Sequence, residues 1–199
     1  MVAATLTEPV AANSSFQHAT WFAEEGFVEN QSGGAACAGF FGPVDPADLD
    51  QRIKGNVRMA NAARIAFDRC EFAHLGANAL DLAHGAHDNL VQDCLFRDIS
   101  AAAVQIGRTD GLTQQLTDPE VSTTCKRHSR QAILVRVFRP MPAVSQAQDI
   151  GNTVANSIVS NPAVEFHGSM GISVGYTIAT NLSHNDVGNC TYGPISVGW

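Results

Sequence analysis

Charged side chains are scarce in this sequence. They make up 16% of its 199 residues, with 19 acids against 12 bases and a net charge of −7. A surface of that sign repels phosphate backbones and anionic headgroups, so neither nucleic acid nor a membrane surface is an expected partner. No apolar run approaches the ~18 residues that a membrane-crossing helix needs. Met1 to Asn13 lacks the basic start and apolar block of a secretory leader. The five cysteines, Cys37, Cys70, Cys94, Cys125 and Cys190, are an odd set without metal-ligand spacing. They leave the redox compartment open, and no cofactor is expected.

What is present is 45% apolar residues, enough for one globular domain with a sizeable core. Between Arg64 and Ile106 one pattern is written twice. RIAFDRCEFAHLGANALDL runs from Arg64 to Leu82, and NLVQDCLFRDISAAAVQI from Asn89 to Ile106. Cys70 falls on Cys94, Phe72 on Phe96, Leu80 on Val104 and Leu82 on Ile106, each 24 residues on. A shared period of this size points to a stacked solenoid.

Within one copy Ile65 and Phe67 alternate with Arg64, Ala66 and Asp68, the two-residue period of a half-buried strand. Cys70 and Phe72 continue the alternation, and Leu80 and Leu82 resume it after a Gly/Asn turn at Gly76–Asn78. Three short strands and two turns make one coil of a parallel β-helix, each coil lying about 4.8 Å from the next. A leucine-rich repeat has a similar period, but its L-x-x-L-x-L frame and helical half are missing. Cys70 and Cys94 are then expected to stack inward as core filler, with a disulfide between them as the minor alternative.

The remaining text divides around these coils, which occupy 63–106 of a single domain over 1–199. Residues 14–62 read as an N-terminal cap, with Phe16, Trp21, Phe22, Phe27, Phe40 and Phe41 covering an open end. Residues 107–150 read as a long loop. Its stretch Ser122 to Gln148 holds Lys126, Arg127, His128, Arg130, Arg136 and Arg139, either a surface loop or a basic lip over an acidic ligand. Further coils are expected over 151–199, with Ile172 and Val174 matching Ile195 and Val197. Val154 matches Ser183 in this alignment, so these coils look less regular. The chain stops at Trp199 just after a core strand, and a truncated solenoid is expected. Sequons at Asn13, Asn30, Asn181 and Asn189 are a weak hint of secretion.

The run GSMGISVGYTIATNLSHNDV…YGPISVGW resembles a segment of secreted right-handed parallel β-helix proteins of the pectin-lyase-like superfamily, which include fucosidase- and xylosidase-type glycoside hydrolases. FQHATW (Phe16 to Trp21) and DRCEFAHLGANALDL are similar to the start of that group's helix. The likeness covers roughly 16–118 and 149–199. It implies an all-β, right-handed single-stranded β-helix, extracellular, monomeric, acting on a polysaccharide or glycan. Asp186 stands where the group has a glutamate after His-Asn, and Gly188–Thr191 replaces its acidic, proline-containing turn.

In each strand of type I-x-I the middle residue is expected to face solvent, which gives an outward column Asp81, Gln105, Ser173 and Ser196. Glu165 and His167 are exposed together if Val164 and Phe166 point inward. Glycosidases need two carboxyls about 5–5.5 Å apart to retain configuration, or about 6.5–9.5 Å to invert it. One or two coils of stacking spans that range, so Glu165 and Asp186 are the candidate acid and base or nucleophile. His167, Tyr176, His184, Asp81 and Tyr192 are the candidate substrate contacts. The rival for these residues is the ordinary one, turn groups bonded to local backbone. HGAH (His84 to His87), flanked by Asp81 and Asp88, reads as a turn, with a metal site as the minor alternative. The RIK of Arg52–Lys54 precedes every coil and lacks the other parts of a polygalacturonase-type site, and no acid cluster for a calcium-dependent lyase is evident. A non-catalytic glycan-binding β-helix, or an inactive fragment, is the second reading.

Overall fold

A computed structural model describes residues 10–20, 30–31, 34–35, 55–107, 148–175 and 177–197. The aromatic residues between Trp21 and Phe41, the basic stretch 122–147, Cys37, Cys125, Tyr176 and Trp199 lie outside the described residues. The first coil is β1 (Val10–Ala12), β2 (Ser15–Gln17) and, after the antiparallel pair β3 (Asn30–Gln31) and β4 (Gly34–Ala35), β5 (Gly55–Ala60). The second is β6 (Ala66–Asp68), β7 (Glu71–Leu75) and β8 (Asn78–Ala83), and the third β9 (Leu90–Gln92), β10 (Leu95–Ile99) and β11 (Val104–Gly107). The fourth is β12 (Thr153–Ala155), β13 (Ile158–Pro162) and β14 (Met170–Gly175), and the fifth β15 (Asn181–Ser183), β16 (Asp186–Gly188) and β17 (Gly193–Val197).

Like strands of successive coils pair in parallel, giving three five-stranded sheets: β1-β6-β9-β12-β15, β2-β7-β10-β13-β16 and β5-β8-β11-β14-β17. We call them the first, second and third sheets. This is a parallel β-helix, and among the described residues there is no helix. The 24-residue repeat is its register. Phe72 pairs with Phe96, Leu80 with Val104 and Leu82 with Ile106.

Because equivalent residues stack, the core is built of columns. Ala11, Phe67, Val91, Val154 and Leu182 line the first sheet, and Phe16, Phe72, Phe96, Val159 and Val187 the second. Val57, Leu80, Val104, Ile172 and Ile195 line the third. Rings of Phe16 and Phe72 stack at 4.9 Å, and those of Phe72 and Phe96 at 4.6 Å and 7°. Offset parallel rings at this spacing are a favourable aromatic geometry.

Two readings change here. Val154 pairs with Leu182, not Ser183, so an apolar residue does continue the column. The offset between the last two coils is 28 residues at Val154 but 23 at Ile172, because the turn after β13 is longer than the one after β16. Cys70 and Cys94 are both buried free thiols, so the disulfide alternative is set aside. Burial pushes the Cys94 thiol up to about 11, and its Sγ lies 3.2 Å from the Gln92 carbonyl.

The corners repeat as well. Asn13, Arg69, Asp93, Asn156 and His184 all adopt φ between 50° and 54°, and by register they form one column between the first and second sheets. A second left-handed column, His18, His74, Asp98, Asn161 and Asn189, ends the second sheet. A third, before the first sheet, is Arg64, Asp88, Gly151 and Ala179. One left-handed residue turns the chain sharply while leaving the strands on either side extended. Asn, Asp and His tolerate that conformation better than other side chains, which explains their frequency here.

Candidate functional site

The second left-handed column lies on the outside of the helix, where the second sheet gives way to the third. Each residue follows its inward column partner by two: Phe16 and His18, Phe72 and His74, Phe96 and Asp98, Val159 and Asn161, Val187 and Asn189. Strict alternation would return that residue to the core, and the left-handed turn at its position carries it out to the corner instead, coil after coil. The rings of His18 and His74 stack at 5.1 Å and 16°. Arg97 Nε donates to Glu71 Oε1 at 2.7 Å, and Arg97 Nη1 donates to His74 Nε2 at 2.8 Å. Asn161 Nδ2 donates to Asp98 Oδ1 at 2.9 Å, while Asp98 Oδ2 stands 3.6 Å from His74 Nδ1. The hydrogen bond from Arg97 holds the Glu71 carboxyl below the usual carboxylate range, with help from Ser15 and Gln17. Side chains of Glu71, His74, Arg97 and Asp98 are each about a third exposed, at 31%, 39%, 37% and 37%.

The turn after β13 continues this edge. Ala163 takes φ 62°, so the chain leaves the strand there and does not alternate. Val164 is 42% exposed and Phe166 half-buried, which corrects the reading of both as inward residues. Glu165 and His167 are exposed nonetheless, now on a turn whose backbone bonds down to Ser100. Thr191 Oγ1 lies within hydrogen-bond distance of the carbonyls of His167, at 3.1 Å, and Ala163, at 3.3 Å, and its one proton serves either. Tyr192, 56% exposed, therefore sits beside that turn. Glu165, His167 and Tyr192 share one corner.

His184 and Asp186 do not join them. His184 belongs to the left-handed column between the first and second sheets. Asp186 begins β16 and pairs with Ile158, the first residue of β13. Glu165 follows the other end of β13, whose five residues are about 13 Å long. The register thus does not put the two carboxylates in one stack, the arrangement on which their expected pairing depends.

Asp81 is corrected more strongly. Its column is in the expected register, with Arg58 added in front: Arg58, Asp81, Gln105, Ser173, Ser196. Yet Asp81 is fully buried, and Gln105 and Ser173 nearly so. Both faces of β8, β11 and β14 are buried. Asp81 accepts from Gln105 Nε2 at 3.3 Å and lies 3.5 Å from Arg58 Nε. It is a buried, paired acid and not a surface contact. The HGAH corner is structural too, since Asp149 accepts from the amides of Gly85 and Ala86 at 3.1 and 2.6 Å. Among the described residues no group of three or more His, Cys, Asp or Glu is arranged for a metal ion.

Fold and edge together define a class: a parallel β-helix whose corners carry long polar columns. No family model matches the chain, and no curated protein matches it. Among solved structures it is similar to one described as a glycoside hydrolase, with 25% identity and a TM-score of 0.56 over 72% of this chain. The chain spans only 20% of the length of that neighbour.

Proposed function

We propose that this chain is part of a carbohydrate-active β-helix of glycoside-hydrolase type, and that it engages a glycan at the corner carrying Glu165, His167 and Tyr192. The observation that carries the reading is the likeness of its stacked coils to a glycoside hydrolase. Exposed Tyr192 supplies an aromatic face for a sugar ring, and His167 and Glu165 supply polar groups for its hydroxyls. Tyr176, outside the described residues, and His184 are further contacts in this reading. The protein works outside the cell, as a monomer.

Within this reading hydrolysis needs two carboxyls. One protonates the leaving oxygen and the other acts as base or nucleophile. Glu165 and Asp186 are the candidates for those roles, but they flank opposite ends of β13, about 13 Å apart along the strand, wider than the ~6.5–9.5 Å of an inverting pair. The second reading, glycan binding without hydrolysis, is favoured by one observation: the register does not stack Glu165 on Asp186.

Aryl-glycosides and plant or algal polysaccharides test both. In the hydrolytic reading Glu165→Gln and Asp186→Asn each lower kcat by about 10²–10⁴-fold, while Tyr192→Ala acts mainly on KM. Retained glycan binding with no turnover supports the second reading. Absence of both turnover and binding across the panel refutes the function.

A further inference from the structure

We infer that the ladder of Glu71, His74, Arg97, Asp98 and Asn161 is a subsite for a neutral sugar, placing one extended glycan along the helix axis. This rests on the glycan-binding reading above and specifies its ligand. The ladder is not the Glu165 corner, but it leads to it. Asp98, Asn161 and Asn189 are successive members of one column, and Asn189 lies three residues before Tyr192. The column from His18 to Asn189 crosses five coils, about 19 Å at the spacing of hydrogen-bonded strands.

The chemistry of the ladder selects the ligand. Arg97 has only donors, so its 2.8 Å contact makes His74 Nε2 an acceptor and leaves the ring N–H on Nδ1, toward Asp98. Arg97 Nε is taken by Glu71, and Nη1 by His74. No hydrogen bond of Nη2 is found among the described residues, and the side chain is 37% exposed. Asp98 and Glu71 keep acceptor lone pairs beyond those engaged, since a carboxylate has about four. Donors and acceptors within a few ångströms of each other suit vicinal hydroxyls, which both give and accept. The stacked rings of His18 and His74 add a flat surface at one end of the ladder.

Charge argues against an acidic sugar. Two carboxylates flank the single guanidinium, and the chain carries a net −7. A uronate or sulfate would meet repulsion from Glu71 and Asp98, and Arg97 is already neutralised by them.

The test is binding, by titration of the full chain with neutral xyloglucan and galactan oligosaccharides on one side and polygalacturonate and dextran sulfate on the other. The expected result is saturable binding of a neutral oligosaccharide, weakened at least tenfold by Arg97→Lys and by the isosteric Asp98→Asn. Asp93→Asn, on the other corner column, leaves it unchanged. Unfolding midpoints of the variants separate a lost contact from a lost fold. Neutral binding that survives in folded Arg97→Lys and Asp98→Asn, but falls with Tyr192→Ala, overturns the subsite alone. Preference for the acidic polymers overturns the assignment of ligand. No binding of any glycan overturns this inference and the proposed function together.

Discussion

At Asn156 the chain makes a corner with one residue. Its φ of 50° lies in the left-handed region, where an ordinary L side chain costs about 1–2 kcal/mol. Asn carries little of that cost, and its side chain here is exposed. Asn156→Ala should therefore destabilise the protein by about 1 kcal/mol, while Asn156→Gly should be near neutral. Urea unfolding of the two variants checks this, and equal losses for both would remove backbone conformation as the cause. The same scale shows why part of the site was hard to read. The sequence states Phe72-Ala73-His74 and Phe96-Arg97-Asp98 in plain repeat, so a polar residue two places after each core aromatic residue was visible. Reading the repeat for its apolar landmarks alone passed over it. Asp81 shows the converse. Period-two alternation gives the face to which a side chain belongs, and it does so correctly for Asp81, Gln105, Ser173 and Ser196. It does not tell whether that face is covered, because cover comes from outside the strand.

Among the elements, β7 and β10 carry the aromatic stack that ties three coils together. Phe96 is fully buried, with Phe72 on one side at 4.6 Å and Val159 paired on the other. Truncation leaves a cavity between three hydrogen-bonded sheets that have little freedom to collapse. Phe96→Ala should cost about 3–5 kcal/mol, and Phe96→Leu clearly less. Denaturant midpoints measure both, and a loss below about 1 kcal/mol for the alanine variant would contradict the stack as a core element. This stack was legible in the sequence because two coils follow each other without interruption. The coil before them was not. Phe16 and Phe72 pair 56 residues apart, so a search at period 24 misses them, although FQH and FAH share their spacing. The alternation that would turn Val164 and Phe166 inward around Glu165 is absent for a local reason. Ala163 turns left-handed directly after Pro162, which ends the alternation two residues before the glutamate.

For the whole molecule, stacking makes each coil depend on its neighbours and on nothing further away. Stability then behaves as a sum of coil and interface contributions, and a coil with less buried apolar surface opens first. The same column positions reveal the gradient: Ile172 is fully buried and Ile195 43% exposed, while Val174 is 5% exposed and Val197 74%. Those pairs are in register and of the same residue type, so the two coils differ in burial alone. In this chain the backbone amides of β15, β16 and β17 should exchange with solvent deuterium well before those of β8, β10 and β11, although all are hydrogen-bonded strands. The ordering should persist under mild denaturant, with the middle coils exchanging only through global unfolding. Uniform protection across the five coils would mean that unfolding is not graded along the stack. Since Tyr192 lies between β16 and β17, the gradient also bears on the site. A glycan held at Tyr192 should slow exchange in the fifth coil first, and one held only at Arg97 should leave that coil as it was.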